Sequence, residues 1–155
     1  MKKITLITGS TTGTAEYIAD YTAEILEKYN FETNIKHGPN LKDLSMQGGI
    51  WLIVCSTHGV GELPENIQPL AKEIDKKKPN LNKIFYGAIG IGSREYDTFC
   101  GAIHKLDFLL KKYNATRIGK TLEINILESD LMKNLIKQWI EKWNNDITNL
   151  QIIIN

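Results

Sequence analysis

The sequence predicts an α/β fold, a doubly wound parallel sheet with helices on both faces. Short apolar, β-branched segments alternate along the chain with longer segments whose apolar residues recur at helical spacing. Such alternation builds a parallel sheet through right-handed crossovers. The 155 residues contain no internal repeat and no low-complexity linker. We therefore expect a single domain spanning residues 1–155.

Five segments have the composition of buried strands, in which β-branched and other apolar residues dominate. They are residues 4–8, 31–37, 50–56, 83–91 and 116–126. The third, with the sequence IWLIVCS, is the most apolar stretch of the chain and is too short for a typical helix, which predicts a central strand. Gly119 interrupts the fifth, where we expect a bulge or a kink.

Four helices are predicted from apolar stripes of helical period. The stripes run over residues 15–29, 67–74, 99–113 and 132–147. Pro64 suits the first turn of the second helix, and the lysines at 76–78, followed by Pro79, suit its end. The three tryptophans are interpreted as packing residues. For the tail, 150–155, the sequence leaves an edge interaction and disorder equally open.

The charge balance excludes several classes of partner. Nineteen Lys and Arg face 18 Asp and Glu, and a net charge of +1 is not typical of a nucleic-acid footprint or a polybasic membrane face. The apolar runs fall far short of the ~20 residues that span a bilayer, and no secretory signal pattern opens the chain. We expect a cytoplasmic protein. Cys55 and Cys100 form no CxxC, and no His pair has zinc spacing, so reduced thiols and no metal site are expected.

Three loops follow predicted strands at the edge where ligands bind in such a sheet, beyond the carboxyl ends of the strands. They are residues 9–14 (GSTTGT), 56–65 (STHGVGELPE) and 92–101 (GSREYDTFCG). In the first loop, hydroxyls supply donors, glycines let the backbone approach an anion, and the next helix points its amides at the same spot. A phosphate cradle and an ordinary capping turn explain this loop equally well. It has no Lys or Arg, and the P-loop pattern GxxxxGK[ST] is absent, which disfavours a triphosphate.

The motifs STTGT, STHGVGELPEN and GSREYDTFCGA resemble, in order and at similar spacing, the cofactor-binding loops of flavodoxins. The resemblance extends over essentially the whole chain. It implies a flavodoxin-like five-stranded parallel sheet of order 2-1-3-4-5 and FMN as the cofactor. The cofactor-binding residues that it implies are Ser10, Thr11, Thr12, Gly13, Thr14, Ser56, Thr57, His58, Gly59, Gly61, Gly92, Ser93, Tyr96, Phe99 and Cys100.

The resemblance also implies roles for some of these residues. Residues 10–14 would surround the phosphate, Tyr96 would stack on the isoalloxazine ring, and the Gly59 carbonyl would turn to accept a hydrogen bond from the proton on flavin N5. Ala15 stands where the family usually has a second threonine. His58 stands where the family often has an aromatic residue, and it either covers the flavin face less completely or is a solvated loop histidine.

By the same resemblance, the protein carries electrons one at a time from a flavoprotein reductase to an acceptor enzyme, with no substrate turnover of its own. Two alternatives stay open: an NAD(P)H-dependent flavin or quinone reductase, and an interaction module that binds flavin weakly or not at all. Glu62, Glu65, Glu95 and Asp97, here called the acidic rim, are either ordinary solvated charges or a docking surface for a basic partner.

Overall fold

A six-stranded parallel sheet forms the centre of the computed structural model, which describes residues 2–95 and 98–154, with side chains through residue 150. The strands are β1 (Lys2–Gly9), β2 (Phe31–His37), β3 (Gly49–Ser56), β4 (Ile84–Gly92), β5 (Thr116–Arg117) and β6 (Leu122–Asn125). Their order is β2-β1-β3-β4-β5, and β6 also pairs with β4. All these pairings are parallel, which confirms the predicted order and the central position of β3.

Four α-helices cover the sheet. They are α1 (Thr14–Lys28), α2 (Gln68–Lys77), α3 (Gly101–Lys112) and α4 (Met132–Ile154), and short 3₁₀ helices occupy Leu41–Asp43 and Ile126–Leu131. The α1 and α4 helices pack on one face, while α2 and α3 pack on the other. Successive strand residues point to opposite faces, so Leu6 and Leu52 meet the first layer, whereas Ile7 and Ile53 meet the second. Both faces are therefore buried, as the continuous apolar strands predict.

One prediction at a helix end is wrong. Pro64 lies before α2 in a turn closed by the Ile67 amide, which donates to the Pro64 carbonyl at 3.1 Å, and the helix begins only at Gln68. At the other end of the chain, where the sequence left an edge interaction and disorder open, α4 continues to Ile154. Asn155 lies outside the described residues. None of the described helices has the length and apolarity that crossing a membrane requires.

The predicted fifth strand is two short strands, β5 and β6, separated by residues 118–121. The Ile118 carbonyl accepts a hydrogen bond from Trp143 Nε1 at 3.1 Å, and the Lys120 carbonyl accepts one from Trp139 Nε1 at 2.8 Å. Between them Gly119 adopts a φ of +73°, where a side chain would be strained. The interruption expected at Gly119 is confirmed, whereas the single continuous strand is wrong, because two indoles of α4 bond the carbonyls of this segment.

Candidate functional site

A cleft of about 260 Å³ opens at the carboxyl edge of the sheet, where the three predicted loops meet. Its lining residues are Thr11, Thr12, Thr14, Ser56, Thr57, Gly59, Ile91, Gly92, Ser93, Thr98 and Ile126. All of them except Ile91, Thr98 and Ile126 are among the residues predicted from the sequence. This volume is slightly below the range of about 300–1,000 Å³ that is usual for small-molecule sites. The topology thus brings the three loops together as the position of their strands predicts.

The first loop leads into α1 and is shaped from inside by Ser10. Ser10 Oγ accepts hydrogen bonds from the amides of Gly13 at 3.1 Å and Ala15 at 3.4 Å. Gly13 has a φ of +87°, which turns the chain into the helix. The Ala15 side chain is buried in the core beneath α1. The threonines at 11, 12 and 14 are left to line the cleft beside the helix N-terminus, which favours an anion there.

Asn66 anchors the first loop from outside it. The Asn66 side-chain oxygen accepts a hydrogen bond from the Ser10 amide at 2.9 Å. On its other side Asn66 contacts Gly38, where a Cβ would lie 2.6 Å from the Asn66 carbonyl oxygen. Asn66 belongs to the ELPEN part of the second motif, but sequence reasoning did not assign it a role. Its contacts span 56 residues of chain, and a local pattern carries no signal for such a partner.

The floor of the cleft comes from the carboxyl end of β3. The Thr57 amide donates to the Ile91 carbonyl at 3.0 Å, which extends the pairing of β3 with β4 into the loop. Ser56 Oγ and Thr57 Oγ1 are buried, and neither has a hydrogen-bond partner among the described residues. A buried hydroxyl without a partner costs about 1–3 kcal/mol. The two hydroxyls are therefore suited to a polar ligand in the cleft.

A short hairpin, residues 58–62, forms one wall and is here called the 58–62 loop. The His58 amide donates to the Glu62 carbonyl, and the Glu62 amide donates to the His58 carbonyl, each at 2.8 Å. Gly59 and Gly61 have φ values of +52° and +89°, as the tight turn between the paired residues requires. Gly59 lines the cleft, whereas the exposed His58 is outside the lining set and Val60 at the tip is 69% exposed. Because His58 does not line the cleft here, its role in binding the cofactor stays a prediction.

The third loop contributes Gly92, Ser93 and Thr98 to the cleft. Tyr96, the predicted stacking residue, lies outside the described residues, as does Asp97. Phe99 packs against the core, with the Arg94 guanidinium 4.2 Å from its ring centre.

Both cysteines are packing residues in the described structure. Cys100 is fully buried at the start of α3, and Cys55 is fully buried near the end of β3. Burial raises the pKa of each thiol to about 12. At neutral pH both are therefore protonated and poorly nucleophilic. Cys100, like Ser10, Gly13, Gly61 and Phe99, is a predicted site residue that supports the cleft without appearing among its described lining residues.

Sequence reasoning missed three lining residues. Ile91 is the penultimate residue of β4, and Thr98 lies in the third loop beside predicted residues. Ile126 follows the carboxyl end of β6, which is the position that the rule for ligand sites indicates. The signal for Ile126 was hidden because the predicted fifth strand ended at residue 126 instead of Asn125.

Comparisons with known proteins agree with this architecture. The fold and cleft define a flavodoxin-like α/β protein, and the family model described as Flavodoxin matches residues 6–139. Protein MioC from Escherichia coli is 50% identical over 145 residues, covering 94% of this chain and 98% of the relative. Flavodoxin YqcA from Escherichia coli is 31% identical over 147 residues, covering 92% and 97%.

A solved structure supports the same assignment. It is a cysteine-to-alanine variant of a flavodoxin from Pseudomonas aeruginosa, which superposes with a TM-score of 0.85 at 27% identity and covers 94% of this chain and 99% of that chain. The protein belongs to the flavodoxin family. Membership implies flavin binding, and the buried unpartnered hydroxyls of the cleft fit such a ligand.

Proposed function

We propose that this protein binds FMN in the cleft and passes single electrons from a flavoprotein reductase to an acceptor enzyme. The observation that carries the proposal is the pair of buried, unpartnered hydroxyls of Ser56 and Thr57, which share a cleft with the threonines at the start of α1. These groups offer neutral donors beside a helix N-terminus, and this combination holds a phosphate without ion pairing.

The chain's own residues would divide the binding task. Thr11, Thr12 and Thr14 hold the phosphate end, and Ile91 and Ile126 place apolar surface on the walls. Bound FMN would supply a ring that takes up and releases electrons one at a time. Because Gly59 has no side chain, its peptide would reorient at small steric cost, and its carbonyl would accept a hydrogen bond from the N5–H group of bound flavin. No atom of the described residues would lie within 4 Å of a Cβ placed on Gly59, so its side of the 58–62 loop is open.

A fluorescence titration with FMN and with riboflavin tests the binding proposal. We expect saturable quenching of the fluorescence of added FMN on binding. Riboflavin should bind more weakly, because only FMN has the phosphate. A pure protein that stays colourless and takes up no FMN at high micromolar supply would reject the proposal and favour the interaction module.

Substitution of Thr57 measures how much its hydroxyl contributes to FMN binding, separately from any effect on the stability of the fold. We expect Thr57→Val to weaken FMN binding about tenfold, since a hydrogen bond to a charged or polar ligand contributes roughly 1–1.5 kcal/mol. The same change removes a buried unpartnered hydroxyl, so ligand-free Thr57→Val unfolds at equal or higher denaturant concentration than the wild type. Thr148→Val, at an exposed position of α4, is the matched control and leaves FMN affinity unchanged. Equal affinities of the Thr57 variant and wild type would contradict this role.

Addition of NADPH to the FMN-loaded protein tests the enzymatic alternative. A carrier keeps its visible absorbance until a flavoprotein reductase is added. Immediate bleaching by NADPH alone would instead identify a flavin-dependent reductase that accepts hydride directly.

A further inference from the structure

Two glycines are in direct contact beside the cleft. Gly61 of the 58–62 loop sits directly on Gly101, the first residue of α3. A Cβ on Gly101 would lie 2.7 Å from Gly61 Cα and 3.2 Å from the Gly61 carbonyl oxygen. Gly101 does not have a positive φ, so its backbone conformation is open to any residue. Close approach of the loop, and not conformational freedom, is therefore the reason for glycine at this position.

The same contact extends to the lining of the cleft. A Cβ on Gly61 would lie 3.0 Å from both the Cβ and the Oγ1 of Thr98, and Thr98 lines the cleft. On the other side of the start of α3, a Cβ on Gly92 at the end of β4 would lie 2.8 Å from the Cys100 amide nitrogen. The start of α3 is thus held between Gly92 and the 58–62 loop by backbone contacts.

We propose that Gly101 is a positioning residue that sets how close the 58–62 loop lies to the rest of the flavin cleft. The inference rests on the proposed function, because its consequence is the fit of bound FMN. Gly59 lines the cleft two residues before Gly61, so a displacement of Gly61 is transmitted to Gly59. Gly101 itself is outside the lining set and acts through the loop.

The loop, and not the helix, yields when Gly101 gains a side chain. Gly61 is buried, but Gly59, Val60 and Glu62 are exposed, so the loop has room to move outward. By contrast, α3 buries Ala102, Ile103 and Leu106 in the core and is held there. Alanine is also a better helix former than glycine. The substitution therefore leaves the ligand-free fold nearly unchanged in stability and opens the cleft.

The test compares Gly101→Ala with Gly87→Ala. At Gly87, which lies away from the cleft, an added Cβ would approach its nearest neighbour about as closely as at Gly101. A Cβ on Gly87 would lie 2.6 Å from the Trp143 ring, in the core beneath α4. For Gly101→Ala we expect FMN binding about tenfold weaker, faster amide exchange at His58 and Glu62, and an unfolding midpoint no lower than that of the wild type. We expect Gly87→Ala to unfold at lower denaturant concentration and to bind FMN within about twofold of the wild type.

Three results would overturn the inference. Gly101→Ala with wild-type FMN affinity and wild-type amide exchange would show that the loop does not depend on the glycine contact. A Gly101→Ala protein that fails to fold, or that loses stability as Gly87→Ala does, would make the contact merely structural. Failure of the wild type itself to bind FMN would remove the proposed function and this inference with it, and that result is read from the wild-type titration before either variant is compared.

Discussion

A single carboxylate, Asp107 on α3, joins the edge of the sheet to the helix above it. Its oxygens accept hydrogen bonds from the Tyr86 hydroxyl at 2.6 Å and from Arg117 Nη1 at 2.8 Å, and Lys111 Nζ lies 3.3 Å away. The Asp107 side chain is only 12% exposed. Burial acts to raise the pKa of Asp107, but the Tyr86 hydrogen bond and the two cations outweigh burial and lower this pKa. Burial and the same carboxylate raise the pKa of Tyr86, which keeps its hydroxyl protonated as a donor.

We expect Asp107→Asn to lower the free energy of unfolding at pH 7 by about 2 kcal/mol, because a charge-assisted network is broken. Because the folded-state pKa is depressed, this stabilisation is complete above the unfolded pKa and is lost as pH falls through the folded value. The difference in the free energy of unfolding between variant and wild type therefore becomes smaller below about pH 4. Urea unfolding from pH 7 to pH 2.5 measures it, with exposed Asp20→Asn as the control. A gap that is constant over this range would contradict the assignment.

At the scale of elements, α4 determines how the last part of the sheet is divided. Trp143 is buried, stacks on Trp139 with ring centres 5.2 Å apart, and lies directly beneath Gly87. The two indole N–H groups bond the carbonyls of Ile118 and Lys120. These carbonyls would otherwise be free to pair in a continuous strand, so the helix and the break in the strand depend on each other.

Phenylalanine substitutions distinguish the two indoles. We expect Trp143→Phe to lower the free energy of unfolding by about 2–4 kcal/mol, since it leaves the carbonyl of buried Ile118 unpaired and opens a cavity. Trp139→Phe should cost roughly 1 kcal/mol, because water replaces the bond to the exposed Lys120. Denaturant unfolding of both variants gives the comparison. Equal losses of unfolding free energy in the two variants would show that ring packing, and not the buried hydrogen bond, stabilises the break between β5 and β6.

The elements differ in how far the sequence predicts them, for a physical reason. β3 and α1 are predicted well because their apolar period is a local property that burial enforces. The division of the last strand depends on indoles 25 and 19 residues away, and the fixing of the first loop depends on Asn66, 56 residues from Ser10. Likewise, the motifs locate the three loops of the cleft, whereas the contact between Gly61 and Gly101 exists only after folding. Local patterns predict which segments meet, but not which side chains hold them.

Over the whole molecule, the net charge of +1 is unevenly distributed, although Lys77, Lys111 and Lys112 are paired with nearby carboxylates. Parallel strands place the last turns of α1, α2 and α3 at the edge opposite the cleft, and these turns carry lysines at 28, 76, 77, 111 and 112. At the cleft edge, Glu62, Glu65 and Glu95 of the acidic rim are exposed, and Glu128 and Asp130 are exposed just beyond β6. The lysines favour the negative helix ends, so the helix dipoles account for the basic edge. We propose that the acidic rim, for its part, steers a basic electron-transfer partner.

Small redox reagents of opposite charge test the steering, because salt weakens both the attraction of a cation and the repulsion of an anion by the rim. If the rim governs the encounter, oxidation of the FMN-loaded, reduced protein by a cationic complex slows as ionic strength rises, and oxidation by ferricyanide accelerates. Bound FMN adds a phosphate charge of about −2, so the net charge of the loaded protein has the same sign as the rim, and charge variants at the two edges are needed to separate their effects. Glu62→Gln combined with Glu65→Gln should flatten both salt dependences, whereas Lys76→Gln combined with Lys77→Gln, at the opposite edge, should leave them nearly unchanged. The rate of encounter at the cleft responds mainly to charges within about 10 Å, the screening length near 0.1 M salt, so the pair of substitutions that flattens the salt dependence locates the docking edge.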